Sequence, residues 1–258
     1  MKLSLVIPCK NKNDPKLLEL IKSIESQDFS KSEMETLVIT EGTSESAKAI
    51  GIRKATGEVI GILASDNELE DCQTLSWCYR DSMNYGAAYP AYYTYVRNDN
   101  ILNRYFALLG GNDPLSFYMG KNDRMMYPKG DYKPIAWDAS YGDNGFFIKK
   151  SLIEQSDLDN YYHIDNIYDL IKRKLVFPQP LSQLNIWHKT GGNIFSFFRK
   201  RYHYGLQHAF NKNRRWHLVD FRQPRDIVRL IWFIVASMTL LQPLSLSIRG
   251  YLKIRDVA

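Results

Sequence analysis

The sequence contains little cysteine, and its cysteines lack the spacing that cysteine-based sites require. Its 258 residues include three, Cys9, Cys72 and Cys78. An odd number without short paired spacings excludes a simple disulfide framework and a cysteine zinc site. Such cysteine usage is typical of a protein kept in a reducing compartment.

The core of a secretory signal peptide is also lacking. The first ten residues carry Lys2 and reach Pro8 after only five apolar or small residues, which is too short for such a core. Internal repeats, low-complexity tracts and recognisable nucleic-acid-binding motifs are absent as well. These absences predict a cytoplasmic protein, and a hydrophobic share of 45% is enough for a sizeable core.

Negative charge is scarce toward the C-terminal end. Residues 199–229 hold nine Lys or Arg and two Asp or Glu, a local net charge of +7, whereas residues 1–198 carry −3. Such a basic arm suits anionic lipid, a phosphate-bearing acceptor or nucleic acid, and a solvated helical face is the alternative. Because the rest of the chain is mildly acidic, we expect no nucleic-acid partner.

The basic arm leads into a run without a charge, residues 230–248. Its 19 residues approach the roughly 20 that span a bilayer, but Ser237, Thr239, Gln242 and Pro243 weaken its apolar character. Three interpretations stay open: buried core helices, a helix or helical hairpin in the membrane interface, or a transmembrane span. The preceding basic arm favours the two membrane interpretations, because anionic lipid attracts cationic segments.

The N-terminal part alternates between short apolar runs and helical patterns. Predicted strands cover residues 3–7, 36–40 and 59–63, and predicted helices cover residues 15–26, 43–55 and 71–83. This alternation predicts an α/β fold with a doubly wound, mainly parallel sheet. Farther along, the predicted strands are 87–96, 146–149 and 184–187, the predicted helices are 101–109 and 164–174, and residues 112–141 are rich in loops.

The third predicted strand runs directly into Asp66. Ligands bind at the carboxyl ends of the strands in a sheet of this kind, so Asp66 is a candidate metal ligand at such an edge. Hard cations such as Mg²⁺ and Mn²⁺ prefer carboxylate oxygen. A helix-capping role for Asp66 is the alternative.

Three segments resemble the inverting family-2 glycosyltransferases with a GT-A fold. Residues 3–11 look like their opening strand, residues 38–44 like their second-strand motif, and residues 51–60 like the stretch that leads into their third strand. The resemblance covers about the first 70 residues. It implies a Rossmann-like GT-A fold and a hexosyltransferase-like enzyme that uses a nucleotide-diphosphate sugar and Mg²⁺ or Mn²⁺.

The resemblance assigns the donor site to the ends of the predicted strands. Asp66 corresponds to the metal-binding second acid of the family's Asp-x-Asp motif, and Ala64 stands in place of the first acid. His188 corresponds to a histidine that completes the metal shell or touches the diphosphate in several members. Four further residues are expected to contact the donor: Pro8, Lys10, Glu41 and Arg53.

The resemblance places the acceptor side later in the chain. The segment containing Asp143 and Asn144 resembles the one before the family's acceptor-side helix, so both residues are candidates for binding. Residues 163–173 occupy the place of the catalytic motif. There we expect Asp165 to take the proton from the attacking hydroxyl, because it precedes the helical pattern and could point into the cleft. An ordinary helix N-cap at Asp165 is the alternative.

The C-terminal part resembles membrane-bound members of the family. Residues 196–205 are similar to a basic, aromatic helix, in which Arg199 and Arg201 could bind donor or acceptor phosphate. The expected organisation is a catalytic domain at 1–195, with a nucleotide-sugar-binding half at 1–100 and an acceptor half at 101–195. Residues 196–258 are expected to form amphipathic or apolar helices that associate with a membrane.

The combined expectation is an inverting glycosyltransferase at the cytoplasmic face of the cell membrane, whether peripheral, monotopic or single-pass. It would transfer a sugar to a lipid-linked or cell-surface glycan acceptor. One alternative is a polyprenyl-phosphate sugar synthase, whose acceptor is already an anionic phosphate. Another is a non-catalytic sugar-nucleotide binding or scaffold protein, which is suggested by Ala64 in place of the expected acid. A homo-oligomer is left open.

Overall fold

The computed structural model describes residues 1–111, 113–127, 135–190, 195–199, 202–203 and 214–255. The chain divides into two units. The first contains Met1–Thr94 and Tyr141–Lys189, and the second contains Tyr95–Ser140 and Thr190–Ala258. The expected domain boundary between residues 195 and 196 and the expected halves 1–100 and 101–195 stay predictions.

The first unit is built on one seven-stranded sheet. Its strands in chain order are β1 Leu3–Pro8, β2 Met34–Ile39, β3 Val59–Ile62, β4 Asn67–Leu69, β5 Ala87–Tyr93, β6 Phe146–Lys149 and β7 Gln179–His188. They lie in the order β2-β1-β3-β6-β5-β7-β4. β1 pairs in parallel with β2 and β3, and β5 with β7, while β6 and β4 run against their neighbours. Five of these strands share one direction, which confirms the predicted α/β fold with a mainly parallel sheet.

The five helices predicted within the first 180 residues are present within three residues of their predicted ends, while two short helices, Pro114–Met119 and Gln155–Asp159, were not predicted. In chain order they are α1 Pro15–Glu25, α2 Ser44–Lys54, α3 Thr74–Tyr85, α4 Ile101–Leu109, α5 Pro114–Met119, α6 Gln155–Asp159, α7 His163–Lys172, α8 Pro224–Met238 and α9 Leu241–Ile254. Residues 195–199 are also helical. Two N-caps follow the usual rule that a short polar side chain bonds a free backbone N–H: the Asp14 carboxylate accepts from Lys16 N before α1, and Thr43 caps α2.

The central strands β1 and β3 are buried on both faces. Leu5, Ile7 and Ile60 have no exposed surface, which explains why these strands appear in the sequence as nearly continuous apolar runs. The chain enters β3 through Gly57. A Cβ atom there would lie 2.6 Å from the backbone nitrogen of Ser4, so glycine is required for this close approach to β1.

The strand directions bring many chain segments to one edge of the sheet, here called the carboxyl edge. β1, β2, β3, β5 and β7 end at this edge, and β4 and β6 begin there. The segments that follow Pro8, Ile39, Ile62 and Tyr93 therefore lie along it. The residues just before Phe146 arrive at the same edge from a strand of opposite direction.

The uncharged run at residues 230–248 is divided between two helices of the second unit. α8 ends at Met238, Leu240 takes a left-handed backbone with φ of 58°, and α9 begins at Leu241. The two helices are bent by 80°. In the described part of the chain, no helix by itself has the length and apolar character of a membrane span, and this bent pair meets the criterion only when its two helices are taken together.

Candidate active site

Asp66 and His188 meet at the carboxyl edge. Asp66 follows β3 and directly precedes β4, and His188 is the last residue of β7, where it pairs with Asn67. His188 Nε2 lies 3.4 Å from Asp66 Oδ1, and both side chains are mostly buried. The two residues that the sequence singles out as metal ligands are thus neighbours. The helix-capping alternative for Asp66 is wrong, because a strand follows it.

The turn that carries Asp66 is fixed by Asn67. The Asn67 carboxamide oxygen accepts a hydrogen bond from Ala64 N at 2.8 Å, and Asn67 N donates to Ala64 O at 3.0 Å. The backbone oxygen of Asp66 also accepts from Lys189 N at 2.8 Å, which ties the turn to the end of β7. Glu68 forms an ion pair with Lys189. The side chains of Asn67 and Glu68 therefore have structural partners next to Asp66.

A buried chain of hydrogen bonds continues from this turn across the edge. Asn67 Nδ2 donates to Asn144 Oδ1 at 3.3 Å, and Asn144 Nδ2 donates to the Tyr93 hydroxyl at 3.0 Å. The Tyr93 ring lies 5.6 Å from the His188 ring, measured between centroids. Asn144, a predicted site residue, thus shares a network with the Asp66 turn. Tyr93 was not singled out by sequence, and its only signal is its place in a tyrosine-rich predicted strand.

The donor set of Asp66 and His188 fits a divalent cation with few protein ligands. Bonds of about 2.0–2.2 Å at right angles would place two neighbouring ligand atoms about 3 Å apart, which is close to the observed 3.4 Å. In the described residues, no group of three or more His, Cys, Asp or Glu is arranged to hold a metal ion. Mg²⁺ sites commonly use one or two protein ligands and take the remainder from substrate phosphates and water.

A second polar cluster lies around Lys48, a lysine that is only 2% exposed. Its ammonium group is 2.6 Å from a Glu45 carboxylate oxygen and 2.6 Å from an Asp143 carboxylate oxygen. Burial alone would lower the pKa of Lys48, but the two carboxylates raise it above its usual value. Burial alone would likewise raise the pKa of Asp143, yet the nearby Lys48 charge holds it well below the usual range.

This cluster changes the interpretation of Asp143. The sequence predicts a binding role, while the structure pairs its carboxylate with Lys48 of α2. The ion pair holds the segment that enters β6, where Gly145 N also donates to Ile62 O at 3.0 Å. Lys48 was not found by sequence reasoning. The one feature of the sequence that points to its burial is its position between the small residues Ala47 and Ala49.

His163 completes the cluster as a buried, uncharged side chain. One ring nitrogen is 3.0 Å from the Tyr161 hydroxyl and the other is 3.2 Å from Gly142 O, while its backbone N donates to Glu45. Burial, together with the Lys48 charge, lowers the pKa of His163 to about 4. Burial also raises the pKa of Tyr161. These bonds place the beginning of α7 beside the segment that enters β6.

The lowered pKa of His163 predicts that the protein loses stability in mild acid. Its pKa is about 4 in the folded protein and 6.5 in the unfolded chain, so the unfolded chain takes up the proton first as the pH falls. The stabilising contribution is complete above pH 6.5 and is lost as the pH falls toward 4. We expect the free energy of unfolding to decrease by about 2 kcal/mol between pH 7 and pH 5, measured by urea unfolding.

A matched pair of variants tests this pH dependence. His163→Gln removes the titrating ring and should flatten the change in unfolding free energy between pH 7 and pH 5. His203→Gln alters an exposed histidine and should leave the change as it is. Equal pH dependence in the wild type and the His163 variant would contradict the assignment.

Asp165 lies inside the first turn of α7 and is 2% exposed. It does not precede the helix: α7 begins at His163, and its N-cap is Tyr162, which makes no side-chain capping bond. The N-cap alternative for Asp165 is therefore wrong. Because the beginning of α7 contacts Gly142 and Glu45, Asp165 lies near the carboxyl edge.

The other predicted site residues are more dispersed. Pro8 ends β1 at the carboxyl edge, and Lys10 follows it as an exposed side chain. Glu41 follows β2 and is also exposed, 4.0 Å from Lys54. Arg53 is not brought to the Asp66 turn: its guanidinium in the last turn of α2 is 2.6 Å from an Asp159 carboxylate oxygen.

The two C-terminal arginines belong to a different part of the chain. Arg199 is an exposed residue of the helical segment 195–199 in the second unit. Arg201 lies outside the described residues. Their expected contact with phosphate stays a prediction.

The fold is similar to that of known glycosyltransferases. The mannosyltransferase PcManGT from Pyrobaculum calidifontis, solved with GDP-Man and Mn²⁺, matches 95% of this chain and 72% of its own, with a TM-score of 0.54 and 15% identity. A structure of TarS 1–349 from S. aureus matches 72% of this chain with a TM-score of 0.45 and 17% identity, and this chain spans 60% of its length. The same protein in complex with UDP-GlcNAc matches 98% of this chain and 76% of its own, with a TM-score of 0.44 and 15% identity.

The sequence itself gives no comparable match. No protein-family model matches the chain, and no curated protein matches it. The likeness to PcManGT therefore establishes the architecture: the chain has a GT-A-like α/β fold.

Proposed function

We propose that the chain is a glycosyltransferase that takes a sugar from a nucleotide-sugar donor. The observation that carries the proposal is the meeting of Asp66 and His188 at the carboxyl edge, where α/β sheets bind their ligands. The fold supports it, because the similar mannosyltransferase was solved with GDP-Man and Mn²⁺. Asp66 follows the third strand in both the sequence resemblance and the structure.

The proposed reaction is a direct displacement at the anomeric carbon, which inverts its configuration. Asp66 and His188 would hold a divalent cation, Mg²⁺ or Mn²⁺, which acts as a Lewis acid on the donor diphosphate. Asn67 keeps the Asp66 turn in place through its bond to Ala64 N. Lys10, exposed beyond β1, would lie along the donor at the same edge. Asp165 would take the proton from the attacking hydroxyl.

The acceptor is proposed to be lipid-linked or part of a cell-surface glycan. The basic arm and the apolar helices α8 and α9 support a location at the cytoplasmic face of a membrane. Arg199 and Arg201 would assist by binding phosphate of the donor or acceptor. A polyprenyl-phosphate acceptor is the second candidate, and its anionic oxygen would need no general base.

Replacing Asp165 with asparagine separates these two acceptor classes. With a hydroxyl acceptor, loss of the general base should lower the transfer rate by about 10²–10⁴-fold, measured as product formed per enzyme at saturating donor. Asp169→Asn, one helical turn farther along α7, is the matched control and should retain most of the activity. Full activity of Asp165→Asn would remove the base assignment and favour a phosphate acceptor.

A non-catalytic sugar-nucleotide binder is the alternative of a different class, and Ala64 in place of an expected acid favours it. A thermal-shift screen tests both possibilities. Purified protein is mixed with UDP, GDP and their sugars, each with and without Mn²⁺, because a ligand that binds the native state raises its stability. A Mn²⁺-dependent rise in the melting temperature, accompanied by turnover of the donor, supports the transferase. A rise without turnover favours the binder, and no rise with any nucleotide would overturn the proposed donor site.

A further inference from the structure

The helices α8 and α9 expose most of their large apolar side chains and bury only a few residues. The buried residues of α8 are Asp226 and Ala236, and those of α9 are Gln242, Leu246 and Gly250. A helix on the surface of a water-soluble protein normally turns its apolar stripe inward, toward the core. Here the large apolar side chains face outward, including Val228, Ile231, Trp232, Met238, Leu244 and Leu252.

Polar contacts hold the two helices to the rest of the second unit. Asp226 pairs with the buried Lys121 at 2.9 Å. Arg249 donates one hydrogen bond to Leu108 O at 3.0 Å and another to Tyr127 O at 3.1 Å. The inward positions are thus fixed by hydrogen bonds and charge, and the outward apolar face is not needed to attach the helices.

The exposed apolar side chains continue along the chain through the bend between α8 and α9. Met238 is 80% exposed, and Leu240 and Leu241, at the bend between the helices, are 67% and 49% exposed. Single exposed apolar side chains are normal on soluble proteins, whereas a continuous apolar face marks an interaction surface. We call this surface the α8–α9 apolar face.

The exposed charges within the segment that carries the α8–α9 apolar face, residues 221–255, have one sign. Residues 221–255 contain six Lys or Arg and one acid, Asp226, which is buried against Lys121. Arg222, Arg225, Lys253 and Arg255 are exposed. This charge complements a surface of anionic lipid. A second copy of the chain would bring an equally positive rim, so like charges would oppose pairing through this face.

The dimensions favour a position in the interface over a span. α8 and α9 have 15 and 14 residues, or about 22 Å and 21 Å at 1.5 Å per residue. The hydrocarbon core is about 30 Å thick, and the 80° bend prevents the pair from acting as one straight helix. A bent amphipathic pair with a basic rim has the properties of a monotopic element.

We infer that α8 and α9 form a monotopic anchor that inserts the α8–α9 apolar face into one leaflet of an anionic membrane. The inference rests on the membrane association in the proposed function and specifies its mode. Binding to vesicles tests whether α8 and α9 anchor the chain, and the nucleotide-induced thermal shift tests the donor site. Either proposal can therefore fail while the other holds.

The test is flotation of the full chain with vesicles of phosphatidylcholine, with and without phosphatidylglycerol. We expect flotation with the anionic vesicles and much less with phosphatidylcholine alone. Met238→Glu and Leu244→Glu should each reduce binding to anionic vesicles by about tenfold or more, because a charge replaces an inserted apolar side chain. Leu18→Glu, at a 51% exposed position of α1, is the matched control and should bind as the wild type does.

Three results would overturn the inference. The first is absence of flotation with anionic vesicles, and the second is equal flotation of Met238→Glu and the wild type. The third is a dimer in lipid-free solution that Met238→Glu dissociates, measured by light scattering, which would make a second copy the occupant. Unchanged urea unfolding of the Glu variants shows that a loss of binding is not a loss of folding.

Discussion

Asp66→Ala is expected to abolish the Mn²⁺-dependent part of nucleotide binding and to lower the transfer rate by about 10³-fold. The Asp66 carboxylate lies 3.4 Å from His188 Nε2 at the carboxyl edge, and a Lewis-acid contact of this kind contributes several kcal/mol to the transition state. The measurements are the thermal shift with UDP or GDP, with and without Mn²⁺, and product formation per enzyme. The thermal shift measures nucleotide binding at the site and needs no knowledge of the acceptor.

The control for this variant is Asp28→Ala. Asp28 is exposed, accepts a hydrogen bond from Ser76 and bonds Cys72 O through its backbone N, past the end of β4 that is opposite to the Asp66 turn. Its removal should therefore leave both measurements unchanged. His188→Ala should reproduce the loss of the Mn²⁺-dependent shift. An Asp66→Ala protein with a full Mn²⁺-dependent shift would refute the assignment of the metal ligands, whatever its rate of transfer.

Lys121→Met is expected to destabilise the protein by about 3–5 kcal/mol, because it leaves the Asp226 carboxylate buried without its partner. Lys121 and Asp226 are 5% and 7% exposed, and their charged atoms are 2.9 Å apart. Burial alone would raise the pKa of Asp226, but the hydrogen bond and charge of Lys121 lower it. The Lys121 ammonium also donates to Leu218 O at 3.0 Å. Urea unfolding at neutral pH measures the loss.

Two further variants identify the cause of that loss. Lys121→Met combined with Asp226→Leu removes both charges and should recover most of the lost stability, since a well-packed apolar pair is often as stable as a buried ion pair. Lys2→Met breaks an exposed pair with Glu33 and should cost at most about 1 kcal/mol. Equal losses in the single and double variants would show that packing, and not the unpaired carboxylate, is responsible.

The sequence predicts the central architecture because its signals are local there. The runs at residues 3–7 and 59–63 are mostly apolar, with Ser4 the polar exception, and both strands proved buried on both faces. Capping residues such as Thr43 mark the helix starts. The three-residue strand β4 was not predicted, because it is shorter than any periodicity can identify. The opposite direction of β6 is also invisible to the sequence, because it depends on which strands become neighbours.

In the candidate site, too, the features that depend on local sequence are predictable and those that depend on packing are not. Asp66 and His188 are predictable because each ends or follows a strand, and strand ends converge on one edge. The partners of Lys48 are not predictable, because they depend on how α2 packs beside the segment that enters β6. Asp143 illustrates the difference: the sequence identifies its importance, while only the structure shows its ion pair with Lys48.

The C-terminal helices show what the sequence leaves open. Composition alone allows a core, an interfacial helix or a span for residues 230–248. The choice depends on which side of each helix faces inward. Two contacts within the second unit set that side: Lys121 binds Asp226 of α8, and Arg249 of α9 donates to Leu108 O. The left-handed residue Leu240 that separates α8 from α9 carries no glycine or asparagine signal.

The place of β4 in the sheet has a consequence for the order in which the protein is assembled. β4 joins the described sheet through β7, the last strand to be synthesised. A nascent chain can form the pairs of β1 with β2 and β3 early, but Asn67 and the Asp66 turn gain their sheet partner only when residues up to Lys189 have emerged. This part of the carboxyl edge would then be completed last, and a chain that ends before β7 could build much of the sheet yet leave Asp66 without its neighbour His188.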